Sequence, residues 1–120
     1  MANNKILYIA HSSDEIERAE DYLSRRFPQI RFHSTRTLTE ATRILTNGRF
    51  KLVVTDAFGG MWEQLRPYEA HYDTLILFTR HSQMGVKAAE KGHPFYHKAS
   101  FEDGLEQMMG NYFFEFNMTI

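Results

Sequence analysis

Residues 51–60 read KLVVTDAFGG. An apolar run rich in β-branched residues stops at a single carboxylate, Asp56, and gives way at once to a loop containing Gly59 and Gly60. A short continuous apolar run bounded by turn residues marks a strand buried on both faces, as in a parallel sheet. The carboxylate at its end either terminates the strand or is placed there for chemistry.

Working outward, KILYIA (residues 5–10) is a second run of the same kind. Ser12 follows, with Glu15 three residues on, which is a capping-box signature. Ile16, Ala19 and Leu23 then recur at helical spacing until Phe27 and Pro28 stop the helix. The unit repeats: IRFHSTR (30–36) reads as a strand, and Thr37 with Glu40 opens a helix with a core face of Leu38, Ala41, Ile44 and Leu45. Asn47-Gly48 supplies a left-handed stop.

Beyond Asp56, MWEQLRPYEAHYD (61–73) is irregular, and Pro67 predicts a short or kinked helix. TLILFT (74–79) is a fourth strand. Ser82 caps a helix through Val86 and Ala89 that Gly92 ends, and PFYHK (94–98) is a fifth strand whose proline suits a sheet edge. Ser100 with Asp103 starts a last helix carrying Phe101, Leu105, Met108 and Met109, and Gly110-Asn111 stops it. Strands and helices alternate five times, the (βα)5 pattern of a doubly wound α/β domain with a parallel sheet between helices. In such sheets ligands sit beyond the carboxyl ends of the strands. Ala10 and His11, Asp56, Thr79 and Lys98 should therefore converge on one edge.

Composition narrows the function. With 120 residues the chain is long enough for one domain and too short for two. Fourteen Lys and Arg against fifteen Asp and Glu leave a formal charge of -1, so no long-range field favours nucleic acid or an anionic membrane. No basic helix supports DNA binding. The chain has no cysteine, which removes thiolate chemistry and fits a reducing compartment. No run is long enough for a membrane span or a signal-peptide core, so the expectation is a soluble, cytoplasmic protein.

These residues, in this order, resemble the receiver domains of two-component response regulators, which share the flavodoxin-like (βα)5 sandwich. The likeness covers nearly the whole chain. It implies that Asp56 in LVVTDAF stands where the family accepts a phosphoryl group from a kinase histidine. It also implies that Thr79 in LILFT senses the phosphoryl oxygen, that Lys98 in FYHKAS pairs with it, and that Phe95, three residues earlier, is the switch aromatic. The partners implied are a histidine kinase, an effector domain or a second copy of the chain.

The departures from that family are specific. Receivers carry two adjacent acidic residues after the first strand, which hold Mg²⁺ with the acceptor aspartate. Ala10 and His11 stand there instead, and a methyl and an imidazole are poor ligands for a hard cation. Asp14 is the nearest acid, but it falls in the first turn of a helix, where it complements the dipole. Ala99 replaces the usual proline after the lysine, and the interval from Asp56 to Thr79 is shorter than usual, which truncates the third helix. The resemblance is to an atypical receiver with a weakened Mg²⁺ site. Asp56 is then either an impaired phosphoacceptor or half of a relic ion pair with Lys98 in a phosphorylation-independent pseudo-receiver.

Other readings remain beside this one. Asp56 and Asp14 with His11 and His81 could ligate a transition metal, although neither of these histidines belongs to a close His-x-x-x-His pair. A small metal-dependent α/β enzyme built on Asp56 and His11 or His81 is the competing class, without a Gly-rich phosphate loop or a nucleophile elbow. The bland readings are that Thr79 merely suits a strand end, Phe95 is core, and the histidines are surface groups that titrate near neutrality. In the tail, YFFEFNMTI (112–120) alternates Phe114, Phe116, Met118 and Ile120 with polar residues, which reads as an extra strand. The expected division is a domain over 1–111 and a tail over 112–120 that adds to a sheet edge or forms a homodimer. The alternative is a last helix continuing through Asn111.

Overall fold

The computed structural model describes residues 3–56 and 61–113, with only the backbone of Met61. Five strands form one parallel sheet: β1 (Lys5–Ile9), β2 (Arg31–Thr35), β3 (Phe50–Thr55), β4 (Tyr72–Thr79) and β5 (Phe95–His97), in the order β2-β1-β3-β4-β5. The helices between and after them are α1 (Ser13–Arg26), α2 (Leu38–Thr46), α3 (Met61–Leu65), α4 (Ser82–Glu90) and α5 (Phe101–Tyr112). This is the doubly wound α/β arrangement that the alternation predicts. β3 is central, and the chain leaves β1 toward β2 on one side while β3 lies on the other, which opens a crevice at the carboxyl ends of β1 and β3.

Alternation along each strand feeds two cores, which is why the runs are apolar without a gap. Ile6, Tyr8, Leu52, Val54, Ile76 and Phe78 face α1 and α5, meeting Ala19, Leu23, Leu105 and Met108. Leu7, Ile9, Val53, Leu75 and Leu77 face the other way, against Ala41, Leu45, Trp62, Leu65 and Ala88. Each fully buried aliphatic or aromatic side chain contributes about 1.5–3 kcal/mol.

The helix starts follow the caps read from sequence in two cases. Ser12 Oγ accepts from the Glu15 amide at 3.3 Å and Thr37 Oγ1 from the Glu40 amide at 3.2 Å. Pro67 has the expected effect: α3 stops at Leu65, and Arg66–His71 continue as a 3-10 turn. Gly92, at φ +89°, ends the α4 region in the left-handed conformation.

Several expectations are corrected. The N-cap of α4 is His81, not Ser82, because the hydroxyl of Thr79 accepts from the His81 amide at 3.1 Å and folds the turn one residue earlier. The buried stripe of α4 is Gly85 and Ala88, while Val86 and Ala89 face solvent. Among the described residues Gly92 is the only one at positive φ, so Gly48 makes no left-handed stop. Instead, α2 tightens through i→i-3 bonds from Asn47 and Gly48 to Ile44 and Leu45.

Gly110-Asn111 likewise does not stop α5, which runs to Tyr112. The fully buried Phe113 follows, its amide bonded to the Met109 carbonyl at 2.8 Å, so core burial carries the helix past the glycine. Of the extra strand expected over 112–120, Tyr112 instead ends α5 and Phe113 is its C-cap, while residues 114–120 lie outside the described residues.

Candidate functional site

Asp56 follows β3 and Lys98 follows β5, and the sheet brings them together. Lys98 Nζ lies 2.5 Å from Asp56 Oδ2. β4 runs between these strands, and its last residue, Thr79, has no exposed surface. The Thr79 carbonyl accepts from the Lys98 amide at 2.9 Å, which fixes where the lysine leaves the sheet. The Lys98 stem passes over the ring of Phe78, with Nζ 5.7 Å from the centroid.

The structure adds a group that sequence reasoning assigned only to a helix cap. Lys98 Nζ also contacts Glu15, 3.0 Å from Oε2 and 3.2 Å from Oε1. The hydroxyl of Tyr8, itself 1 % exposed, donates to Glu15 Oε2 at 2.6 Å. One ammonium thus sits between two carboxylates, and the exposures of the Lys98, Glu15 and Asp56 side chains are only 9 %, 21 % and 17 %. Burial, and then the adjacent Glu15 charge, push the Tyr8 phenol far above its ordinary value, so it remains a donor at every working pH. The signal for Glu15 was its place at the start of the helix that follows β1, one of the strands whose ends line the site.

Lys98, Glu15 and Asp56 border an open cavity of 370 Å³, together with Asp14, Arg18, Arg80 and His81. A larger open cavity, 740 Å³, lies at the opposite, amino ends of β4 and β5. Its Arg49 already binds Asp73 and the carbonyl of Ala70.

The positions of the missing acidic pair are clear. Ala10 is buried, and His11 is exposed with its carbonyl accepting from Arg36 Nε at 2.7 Å. Neither offers a side-chain oxygen, Asp14 is exposed in the first turn of α1, and Glu15 is engaged by Lys98 and Tyr8. Among the described residues the donor set does not fit Mg²⁺. Among the described residues no cluster of three His, Asp or Glu side chains is arranged to hold a metal, the Asp56, Asp14, His11 and His81 set included.

Phe95 stands in β5, half-buried, with its ring against Gly85 of α4. Tyr96 faces the other side of the sheet, where its hydroxyl accepts from Asn111 of α5 at 2.7 Å. β5 thus couples α4 to α5 through two neighbouring aromatics pointing opposite ways.

No family model matches the sequence, and the search of curated proteins returned no match. Solved structures do match. A signal receiver domain of an HD domain-containing protein from Pseudomonas fluorescens Pf-5 is 17 % identical, with a TM-score of 0.77 over 99 % of this chain and 93 % of that one. A response regulator receiver domain protein from Clostridium thermocellum is 18 % identical, with a TM-score of 0.76 over 97 % and 98 % of the two chains. The receiver domain of a signal transduction histidine kinase from Syntrophus aciditrophicus is 20 % identical, with a TM-score of 0.71 over 92 % and 89 %. Across nearly its whole length, the chain has the fold of the signal receiver domains.

Proposed function

We propose that the protein is a receiver-like signalling module that acts by binding a protein partner, with Asp56 a phosphoacceptor of impaired efficiency. The Asp56–Lys98 pair at the carboxyl ends of β3 and β5, bordering an open cavity, carries this reading. Phosphoryl transfer requires an in-line carboxylate and positive charge against the equatorial oxygens. Asp56 Oδ supplies the first and Lys98 Nζ the second. The donor's bond to phosphorus breaks, P–N in a phosphohistidine or P–O in an acyl phosphate, the leaving imidazole or carboxylate keeps the electron pair, and a P–O bond to Asp56 forms in its place. Because the described residues do not assemble a Mg²⁺ site, neutralisation falls to Lys98, the cation in contact with Asp56, and transfer is slow.

Readout runs through β5. A phosphoryl group that draws Lys98 pulls on the chain just after Tyr96 and Phe95, which seat against α5 and α4. The α4–β5–α5 side is the partner surface, for a histidine kinase, an effector domain or a second copy of the chain. Val86 of α4 is 54 % exposed on it.

A second reading has its own observation. Lys98 is already held by two carboxylates, which favours a phosphorylation-independent pseudo-receiver in which the ion cluster is purely structural. The two are separated by incubating the protein with acetyl phosphate, with and without Mg²⁺, and measuring intact mass beside an Asp56→Ala control. A slow gain of one phosphoryl group that differs little with Mg²⁺ and is absent from the control supports the acceptor. No gain in a folded sample leaves the pseudo-receiver.

A further inference from the structure

Glu15 has two employments available to it, and the structure shows it in one. Its backbone amide already donates to Ser12 Oγ, which is half of a capping box. In the complete motif the carboxylate turns back to the Ser12 amide. Here both carboxylate oxygens are drawn into the sheet crevice, Oε1 to Lys98 and Oε2 to Lys98 and Tyr8. The helix-start geometry needs no change for the carboxylate to move between the two positions. Only side-chain rotation separates them.

We propose that Glu15 is an internal competitor for Lys98: its carboxylate occupies the ammonium that a phosphoryl group on Asp56 would require, and its release to the cap of α1 opens the site. This inference rests on the reading of Asp56 as an acceptor for its biological use, but the competition itself rests on the geometry of Glu15, Tyr8 and Lys98.

Charge gives the direction. At present one ammonium faces two carboxylates. Transfer from an acyl phosphate breaks the donor P–O bond, forms a bond from phosphorus to Asp56 Oδ and releases the carboxylate leaving group with the electron pair. Asp56 then carries roughly two negative charges instead of one. Like-charge repulsion across a partly buried site expels the weaker-held anion, and Glu15 has a place to go. Tyr8 opposes this, since its buried hydroxyl holds Oε2 and cannot readily be left without an acceptor. Tyr8 is therefore a positioning residue for the closed state. The output differs from that of β5, because α1 also touches α5 through the bidentate Arg18–Glu102 pair and the stacking of Arg18 on Phe101. A change at the start of α1 reaches α5 from its other side.

The test measures Lys98 directly. The parent protein, Glu15→Gln and Tyr8→Phe are labelled briefly with acetic anhydride, and modification of Lys98 is quantified by peptide mass against the exposed Lys87 as an internal reference. In Glu15→Gln, which keeps the length and a hydrogen-bonding partner for Tyr8, Lys98 should label roughly three- to tenfold faster, the range expected for a partly buried ion pair. Tyr8→Phe should give a smaller rise in the same direction. The same samples are then exposed to acetyl phosphate, and Glu15→Gln should gain mass faster than the parent. Unchanged Lys98 labelling in both variants overturns the competition. Faster labelling with no phosphoryl gain in any sample supports the role of Glu15 and overturns the reading of Asp56 as an acceptor.

Discussion

A single missing side chain sets the position of Phe95. A Cβ at Gly85 would stand 2.3–2.4 Å from Cδ1, Cε1 and Cγ of the Phe95 ring, a separation that real atoms do not adopt. Gly85→Ala should therefore cost about 1–3 kcal/mol in overpacking, offset in part by roughly 1 kcal/mol of improved helix propensity. Urea unfolding of Gly85→Ala, Phe95→Ala and the double variant checks this, and the coupling should show the alanine tolerated once the ring is gone. A single variant as stable as the parent would contradict the contact. This glycine was not legible in the sequence, where it read as one more residue inside a helix. Asp56 and Lys98 were legible because a buried strand that ends in a charged residue leaves that residue little freedom. Glu15 was missed for the opposite reason: the local capping motif offered a complete account of it, and only β5, 83 residues away, supplies the ammonium that draws it in.

The elements were most legible where periodicity and a cap agreed. α1 and α2 begin at Ser12 and Thr37 as their spacing predicts, since both hydroxyls find the amide three residues on. The ends were harder to read because long-range burial overrides local stop signals. Asn47-Gly48 ends α2 without a left-handed residue, and Gly110-Asn111 fails to end α5 because Phe113 has a place in the core. In α4 the small residues Gly85 and Ala88, and not the larger Val86, lie against the sheet. β5 is three residues long and closes the sheet edge, which limits how much unpaired backbone it presents.

At the scale of the molecule, two separate cores back one sheet, and two partly buried histidines are harder to protonate than free ones. Burial lowers His33 below its ordinary 6.5, helped by Lys5 and Arg31. Burial likewise lowers His93, helped by Arg66 and Lys91. In both cases the unfolded chain binds the proton more readily. The stabilisation is therefore complete above about pH 6.5 and is lost as pH falls toward the depressed folded values. The midpoint of thermal unfolding should drop between pH 7.5 and 5.5, and His33→Gln with His93→Gln should flatten that slope. A midpoint unchanged over this interval in the parent would count against it. His93 has a further consequence. Its ring meets Trp62 edge to face, 5.7 Å between centroids, and Trp62 is the sole tryptophan of the chain and 1 % exposed. The molecule thus carries its own optical reporter. Its emission should be blue-shifted by burial and dimmed when the neighbouring imidazole gains a proton, so acid titration should darken the native fluorescence before unfolding reddens it, with no label attached.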